Sequence, residues 1–274
     1  MPELPEVEQV RISLLPHIKG KTICKTEVRL PRMIKHPSVP EFMAGVEGKR
    51  VTDITRKGKY LTLMLDDGRY IMVHLRMTGA LLVLPRDSQD PPFAKIRFSL
   101  TGGLNLWFTD IRTFGTLSLC GGNDPWQDKG YAGLGPEPLS QEFTEEYLKE
   151  KLKNSHQMIK SFLLDQHKIA GLGNIYADEA LAMAGIRPTR YTDKLTRMQM
   201  RALHEAVNLV IAQGLRNHGT TFRNYQDADG HMGNNKDFLM VYGRKGMPCK
   251  TCGTVLKQIR VAGRGSVYCP HCQK

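Results

Sequence analysis

The first eight residues, MPELPEVE, place a proline and a glutamate where they could perform covalent chemistry. Removal of Met1 would leave Pro2 as a free secondary amine with the carboxyl group of Glu3 beside it. An α-amino group has a reference pKa of roughly 7.7–8.0, so a useful fraction of it is unprotonated near neutral pH. Such an amine can attack an electrophilic sugar carbon and form an imine-type intermediate. On this motif alone, an ordinary structural N-terminus is favoured.

Four cysteines near the C-terminus have the spacing of a metal site. CKTC at 249–252 and CPHC at 269–272 give C-x2-C, sixteen intervening residues and C-x2-C. Each pair can place two thiolates on one turn, and four thiolates form a closed tetrahedral zinc site with no position for catalytic water. We therefore expect one structural Zn²⁺ held by Cys249, Cys252, Cys269 and Cys272. The alternative is two redox dithiols, and His271 is interpreted as a surface residue between two ligands.

The segment between the two cysteine pairs predicts a hairpin whose tip is AGRG, residues 262–265. Its glycines allow a tight turn that displays Arg264. A guanidinium group presented in this way suits bidentate contact with a phosphate, although a solvated arginine on a turn is the commoner case.

The charge of the chain favours an anionic partner. Lys and Arg number 39 against 27 for Asp and Glu, which gives a net charge of +12 over 274 residues. The sequence contains neither a run of about 18 apolar residues nor a basic amphipathic anchor, so nucleic acid is favoured over membrane. Without a secretory signal at the N-terminus, we expect a cytoplasmic protein. Cys24 and Cys120 are interpreted as buried, inert thiols.

Hydrophobic patterning predicts two kinds of structure along the chain. The N-terminal part has one helix near 6–18 and then short runs rich in β-branched residues, separated by DDG and TGG turns, which predict a β-sandwich. The predicted strands are 22–30, 50–56, 60–66, 69–76, 95–100, 104–109 and 114–119. A Gly- and Pro-rich stretch at 120–138 is interpreted as a linker.

Beyond the linker the periodicity is helical. Helices are predicted at 142–153, 156–166 and 174–184, and a further helix begins with the capping box Thr196 to Gln199 and continues to Gly214. Residues 215–237 are predicted to form a long polar loop. Its length suggests that it is functional or mobile. DADG within it lacks the ligand spacing and terminal glutamate of a calcium loop, so calcium is rejected.

Seven motifs, in order, make the sequence resemble the bacterial formamidopyrimidine-DNA glycosylases. They are PELPEVE, GKY (58–60), HLRMTG (74–79), DIRTFG (110–115), LGPEPL (134–139), AGLGNIYADEAL (170–181) and the cysteine module with AGRG. The resemblance runs end to end. It implies an α+β protein with an N-terminal β-sandwich carrying an N-terminal helix at 1–132, a helical domain with a helix–two-turn–helix at 133–236, and a zinc finger at 237–274.

The resemblance also implies roles for individual residues. Pro2 would attack C1′ of the damaged nucleotide while Glu3 acts as the acid toward the sugar. The Schiff base would allow β- and δ-elimination, which leaves a one-nucleotide gap. Lys59 and Arg264 complete the predicted catalytic set. The alternative for Lys59 is an ordinary exposed strand lysine.

Other residues match the family's DNA contacts. Asn174 follows GLG at a helix start that suits a phosphate, with an ordinary N-cap as the alternative. His74, Lys160 and Tyr242 match the family's phosphate contacts less distinctively. An ordinary structural role fits each of them nearly as well.

Removing a base from the stack leaves a void that the enzyme must fill. Met77, Arg112 and Phe114 match the family's void-filling trio, in which Met and Phe wedge between bases and Arg bonds the orphaned cytosine. The trio and PELPE favour oxidised purines over the oxidised pyrimidines of the sister family, endonuclease VIII, which begins PEGPE. Residues 215–237 lie at the family's lesion-capping loop. Gln9 and Thr113 depart from the family pattern at positions that take no part in the reaction in the family.

We therefore expect a monomeric, nucleoid-associated bacterial enzyme of base excision repair. Its partner would be double-stranded DNA containing 8-oxoguanine or a formamidopyrimidine, preferably opposite cytosine. Two alternatives stay open: a glycosylase of the endonuclease VIII type, and a zinc-containing DNA-binding protein without activity.

Overall fold

The computed structural model of the protein describes residues 1–124, 126–222 and 225–274. Pro125 of the predicted linker and Arg223 and Asn224 of the predicted loop lie outside the described residues. The chain divides into two compact units. The N-terminal unit comprises Met1–Ala132 and Asn217–Asn234, and the C-terminal unit comprises Gly133–Arg216 and Asn235–Lys274. The finer division into three domains at 132/133 and 236/237 stays a prediction.

The N-terminal unit is a two-sheet sandwich with a helix on its core. Its elements are α1 (Leu4–Ile18), β1 (Ile23–Val28), β2 (Ile34–His36), α2 (Val39–Val46), β3 (Val51–Lys57), β4 (Tyr60–Leu65), β5 (Arg69–His74), β6 (Gly79–Pro85), β7 (Ala94–Leu100), β8 (Leu104–Asp110), β9 (Thr116–Gly121) and α3 (Lys129–Ala132). One sheet has the order β1-β7-β8-β6 and the other β2-β9-β5-β4-β3. The β2–β9 pair is parallel.

One apolar core joins the two sheets and α1. Alternate residues of the strands face it, including Ile71 of β5 and Phe108 of β8, and Val10 and Leu14 of α1 are fully buried against them. The period of two in the strands and of about 3.6 in α1 puts these side chains on single faces. The predicted sandwich with one N-terminal helix is thus confirmed in outline.

Four elements of this unit were not predicted. The short strand β2 and the helix α2 occupy a stretch with several prolines, where Ser38 and Glu41 form a capping box that begins α2. The strand β6 is a run of apolar residues that pairs with β8 along its whole length. A short helix, α3, also interrupts the predicted linker.

The two isolated cysteines differ in burial. Cys120 of β9 is buried, as predicted, whereas Cys24 of β1 is exposed, so the prediction of a buried thiol at Cys24 is wrong.

The C-terminal unit is helical and ends in a β-hairpin. Its elements are α4 (Glu145–Lys153), α5 (Ile159–Leu164), α6 (Asn174–Met183), α7 (Arg197–Arg216), β10 (Lys257–Val261) and β11 (Arg264–Tyr268). The predicted capping box at the start of α7 is present, with Thr196 N–H donating to Gln199 Oε1 at 3.1 Å and Gln199 N–H to Thr196 Oγ1 at 3.2 Å. The strands β10 and β11 form the hairpin predicted between the cysteine pairs.

Candidate functional site

The N-terminus of α1 fixes the two residues predicted to do the chemistry. Pro2 is buried, and Glu3, at the N-cap of α1, is 2 % exposed. Glu3 N–H donates to Glu6 Oε2 at 2.7 Å within a capping box. Two further first-turn features favour a helix here: Pro5, which tolerates an absent N–H, and the acidic Glu6 beside the helix dipole. The two residues are therefore held on a rigid element.

Lys59 and His74 lie on neighbouring strands of the five-stranded sheet. His74 ends β5 opposite Tyr60, and Lys59 immediately precedes Tyr60; both side chains are buried. His74 Nδ1 accepts the Arg76 N–H at 3.0 Å, so the imidazole proton is on Nε2. Burial, aided by the charges of Arg76 and Lys59, lowers the pKa of His74 to about 3. The ring is thus a neutral donor, which suits contact with a phosphate oxygen.

The predicted void-filling trio comes together on the surface. Met77 is 42 % and Phe114 51 % exposed. Arg112 lies between them, with Nη1 2.9 Å from Met77 Sδ and its guanidinium carbon 4.8 Å from the centre of the Phe114 ring. From the sequence, Met77 and Phe114 would otherwise be placed in the core. Large exposed apolar side chains beside an arginine have the size and polarity that a wedge between stacked bases requires.

Asp110, which sequence reasoning did not single out, anchors the loop that carries Arg112 and Phe114. This carboxylate is buried, and Oδ1 accepts the Thr78 hydroxyl at 2.5 Å and Arg112 N–H at 3.1 Å. Oδ2 accepts Gly115 N–H at 2.8 Å. One carboxylate therefore ties both loops of the trio together. The only sequence signal for it is its place in DIRTFG.

Thr113, one of the two departures from the family pattern, has φ of 58°. A β-branched residue is strained in this left-handed region. The Thr113 hydroxyl accepts a hydrogen bond from the Arg32 guanidinium. Arg32 therefore contacts the side chain of the residue whose backbone is strained.

In the C-terminal unit, Asn174 and the Arg264 hairpin are linked. Gly173 is at the N-cap of α6 and Asn174 is the first helical residue, so the alternative role of Asn174 as N-cap is wrong. Asn174 Nδ2 donates to Gly265 O at 3.0 Å, and Asn174 Oδ1 is buried with no hydrogen bond to the described residues. Arg264, beside Gly265, begins β11 and is exposed, as predicted for a hairpin tip.

Lys160 is placed differently from the prediction of a phosphate contact. Its side chain and that of Asp178 are both 0 % exposed, with Lys160 Nζ 2.6 Å from Asp178 Oδ1 and 3.0 Å from Asn174 O. A lysine with no exposed surface is not arranged to bind DNA directly. It supports Asn174 from inside, and Asp178 in turn accepts the Ser266 hydroxyl and Val267 N–H.

Tyr242 belongs to a backbone segment that a second buried carboxylate holds in place. Glu179 of α6 accepts the N–H groups of Met240, Val241 and Tyr242 at 2.6, 2.9 and 2.8 Å. Burial raises the pKa of Glu179 above its ordinary value. Asp178 and Glu179, adjacent on α6, thus position two separate segments of the C-terminal unit.

A polar face of α1 contacts the segment predicted to cap the lesion. The contacting residues are spaced three or four apart, as one helix face requires, and are Glu6, Gln9, Ser13 and His17. Thr220 N–H donates to Glu6 Oε1 at 2.7 Å. Gly219, at φ of 82°, lies so close to Glu6 that a Cβ there would come within 2.9 Å of Glu6 Cγ.

The remaining contacts continue along the same face. His218 Nδ1 is 3.0 Å from Gln9 Oε1, Ala228 N–H donates to Ser13 Oγ at 3.0 Å, and His17 Nε2 is 2.7 Å from Asp229 Oδ1. Gln9, the other departure from the family pattern, therefore has a specific partner. These pairings join residues about 210 positions apart in sequence, so no local pattern could reveal them.

The four predicted zinc ligands converge. The sulfur atoms of Cys249, Cys252, Cys269 and Cys272 all lie within 4.8 Å of one another, and those of Cys252 and Cys269 are 3.5 Å apart. Four thiols at this separation fit tetrahedral Zn²⁺, with Zn–S near 2.3 Å. The protein has one structural zinc site, and the alternative of two redox dithiols is wrong.

Comparison with known proteins defines the class first. Residues 1–117 match the formamidopyrimidine-DNA glycosylase N-terminal domain, residues 134–226 its H2TH domain, and residues 246–274 the zinc finger found in FPG and IleRS. A sandwich, a helix–two-turn–helix and this finger in one chain define a DNA glycosylase of base excision repair. The α+β fold expected from the sequence is confirmed.

The relatives then identify the family. The chain is 46 % identical to the formamidopyrimidine-DNA glycosylase of Carboxydothermus hydrogenoformans, with all of both chains covered, and 44 % identical to that of Pelotomaculum thermopropionicum, covering 100 % of this chain and 99 % of the relative. It belongs to the formamidopyrimidine-DNA glycosylase family, whose members are glycosylases and AP lyases.

Solved structures agree. A Lactococcus lactis FPG variant in complex with Fapy-dG-containing DNA superposes with a TM-score of 0.93 at 35 % identity, and MutM in complex with DNA containing carbocyclic 8-oxo-G with 0.92 at 34 %; each covers all of both chains. Both of these solved relatives are complexes with damaged DNA. Within the described residues, no helix is both long and apolar enough to cross a membrane.

Proposed function

We propose that the protein excises oxidised purines from double-stranded DNA through a Schiff base on Pro2 and then cleaves the strand by β- and δ-elimination. The observation that carries the proposal is the start of α1. There the buried Pro2 directly precedes Glu3, and the capping box with Glu6 fixes the backbone at Glu3. A fixed nucleophile beside a fixed acid is the arrangement that covalent base release requires.

In this mechanism the Pro2 nitrogen, freed by loss of Met1, attacks C1′ and the bond from C1′ to the base breaks. Glu3 donates a proton to the sugar ring oxygen, which opens the ring, and the nitrogen loses its proton to give the iminium form. Loss of a proton from C2′ then expels the 3′ phosphate, and a second elimination expels the 5′ phosphate. Hydrolysis of the imine releases Pro2 and leaves a one-nucleotide gap.

We assign the remaining predicted residues to holding the DNA. Lys59 and Arg264 act as cations toward phosphate near the reaction centre, and the neutral Nε2–H of His74 donates to a phosphate oxygen. Asn174 and Tyr242 bind phosphate from segments that Asp178 and Glu179 hold in place. Lys160 acts only as a positioning residue.

We assign the void left by the extruded nucleotide to Met77, Arg112 and Phe114. Their exposure and mutual contact support this role. Arg112 would bond the cytosine left without its partner, which supports a preference for lesions opposite cytosine. We further propose that the enzyme acts as a monomer in the bacterial cytoplasm, associated with the nucleoid, and light scattering at working concentration would test the monomer.

The test is single-turnover excision from duplexes carrying 8-oxoguanine or a formamidopyrimidine opposite each of the four bases. We expect cleavage by the wild type, fastest opposite cytosine, and loss of both base release and strand cleavage in Pro2→Gly and Glu3→Gln. Glu150→Gln, which alters an exposed carboxylate of α4, is the matched control and should retain full activity. Cleavage by Pro2→Gly at the wild-type rate would refute the mechanism.

Two other outcomes separate the alternatives. Activity confined to oxidised pyrimidines would assign the enzyme the specificity of the sister family. For the void-filling role, Met77→Ala should slow excision while Met198→Ala, at an 82 % exposed methionine of α7, should not.

A further inference from the structure

The ten arginines of residues 1–124 fall into two groups according to their partners. Six of them form ion pairs with Asp or Glu, namely Arg11, Arg29, Arg50, Arg56, Arg69 and Arg97. Arg86 donates to the carbonyl oxygen of Leu100 at 2.7 Å. The other three, Arg32, Arg76 and Arg112, form no ion pair with any residue that the structure describes.

These three arginines all lie at the void-filling trio. Arg112 is a member of the trio, and Arg76 directly precedes Met77 in the sequence. Arg32 comes from a distant part of the chain, and its Nη2 donates a hydrogen bond to the hydroxyl of Thr113, the residue after Arg112. All three arginines are exposed. Exposed guanidinium groups without a carboxylate partner are therefore collected around the trio.

The fold holds Arg32 in this place. Arg32 lies in a single helical turn, Pro31–Met33, and the next side chain, Met33, is 1 % exposed in the core. The strand β2 follows at once and pairs in parallel with β9, which begins three residues after Thr113. Because parallel strands begin at the same edge of a sheet, this pairing brings Arg32 and Thr113 together.

The buried carboxylate of this region does not neutralise these arginines. Asp110 accepts three hydrogen bonds from neutral groups, which are the Thr78 hydroxyl and the backbone N–H groups of Arg112 and Gly115. Asp110 forms no ion pair within the described part of the chain. Exposed cations without a counter-ion raise the local positive potential, so this surface favours an anionic partner.

Arg32 keeps the donors that a phosphate requires. A guanidinium group has five N–H donors in one plane, and Thr113 takes one of them. The others make no hydrogen bond to residues 1–124, 126–222 or 225–274. The bond to Thr113 also orients the group, and the left-handed backbone of Thr113 is of the strained kind that clusters at functional sites. An oriented guanidinium group suits bidentate contact with a phosphate.

We propose that Arg32 binds a backbone phosphate of the DNA strand that carries the cytosine opposite the lesion. The inference rests on the proposed function, in which Arg112 bonds that cytosine. Because Thr113 directly follows Arg112, the guanidinium group that Thr113 orients lies beside the same strand. Phosphate contacts fix the register of a duplex without reading its sequence. Arg32 therefore holds the strand in which Arg112 bonds the cytosine.

The first experiment measures binding of the full-length holoprotein to a duplex with a tetrahydrofuran abasic-site analogue opposite cytosine. Fluorescence anisotropy gives Kd over a series of salt concentrations. We expect Arg32→Gln to raise Kd about fivefold to tenfold. It should also lower the slope of log Kd against log salt by about 0.9, the value for one phosphate. Thr113→Val, which removes the hydroxyl that orients Arg32, should raise Kd in the same direction by less.

The matched control is Arg50→Gln, which removes the same charge from an exposed arginine of the same unit that is paired with Asp66. It should leave both Kd and the salt slope unchanged. The urea unfolding midpoint, followed by tryptophan fluorescence, checks that each variant is folded. A salt slope in Arg32→Gln equal to that of the wild type, or an equal loss of affinity in Arg50→Gln, would overturn the proposal.

The second experiment locates the phosphate. Uncharged methylphosphonates replace the phosphates of each strand one at a time. We expect one position on the strand opposite the lesion where the replacement weakens binding by the wild type but not by Arg32→Gln. Equal losses in both proteins at every position, or a coupled position on the lesion strand, would contradict the assignment. Binding to the analogue requires no reaction at Pro2, so failure here is distinct from failure of the proposed function.

Discussion

The buried histidine at the end of β5 makes the stability of the N-terminal unit depend on pH in a defined way. Its pKa is lowered from 6.5 to about 3, mainly by burial and further by Arg76 and Lys59. The unfolded chain therefore binds one more proton than the folded chain between these values. The stability contributed by neutral His74 is fully present above pH 6.5 and is lost as the pH falls toward 3.

The size of the effect follows from the two pKa values. Between pH 7 and pH 5, preferential protonation of the unfolded chain at this one residue lowers the free energy of unfolding by about 2 kcal/mol. Other groups titrate over the same range, so the quantity to measure is the difference between the wild type and His74→Asn. Asn retains an oxygen that can accept the Arg76 N–H but does not titrate.

Urea unfolding followed by tryptophan fluorescence suits this measurement, because Trp107 and Trp126, the two tryptophans of the chain, both lie in the N-terminal unit. We expect the wild type to lose about 2 kcal/mol more than His74→Asn between pH 7 and pH 5. His156→Asn, at an exposed histidine of the other unit, should behave like the wild type. Equal losses in the wild type and His74→Asn would show that the pKa of His74 is not lowered in the folded protein.

Three further predictions test the supporting structure. Asp178→Asn leaves the buried Lys160 without its counter-ion and should destabilise the C-terminal unit by about 3–5 kcal/mol, measured by urea unfolding followed by circular dichroism. Lys160→Met combined with Asp178→Leu should recover much of this loss. An Asp178→Asn variant as stable as the wild type would contradict the ion pair. Asp110→Ala removes the acceptor of three hydrogen bonds and should lower the free energy of unfolding by about 2–5 kcal/mol, measured by urea unfolding followed by tryptophan fluorescence. Asp87→Ala, at an exposed position, should leave that free energy unchanged. Equal unfolding midpoints for Asp110→Ala and the wild type would show that Asp110 does not stabilise the fold. Chelation of the structural zinc should abolish DNA binding in a fluorescence anisotropy assay without shifting the urea unfolding transition that tryptophan fluorescence reports. His271→Ala should keep its zinc. Loss of zinc on that substitution would show that His271 is a ligand.

Local chemistry explains which parts of this architecture could be predicted. The zinc ligands, the capping box at Thr196 and the strands bounded by turn residues depend on neighbours in sequence. The strand β6 was missed because an unbroken apolar run carries no alternation, and its identity depends on pairing with β8. The helix α2 was missed because its capping box lies among prolines.

The supporting residues of the site were harder still. Asp178 and Glu179 read from sequence as the polar side of a helix, but they are buried acids that hold distant segments. Lys160 likewise reads as a surface cation until its partner in α6 is known. The polar face of α1 that meets residues 217–234 depends on contacts across more than 200 positions.

The most direct test of the account is the identity of the covalently attached residue. The enzyme would be reacted with an 8-oxoguanine duplex in borohydride, digested with protease and nuclease, and the modified peptide located by mass spectrometry. Schiff-base formation on Pro2 should leave a sugar remnant on the peptide that begins with Pro2. Attachment to the peptide containing Lys59, or a retained Met1 on fully active enzyme, would contradict it.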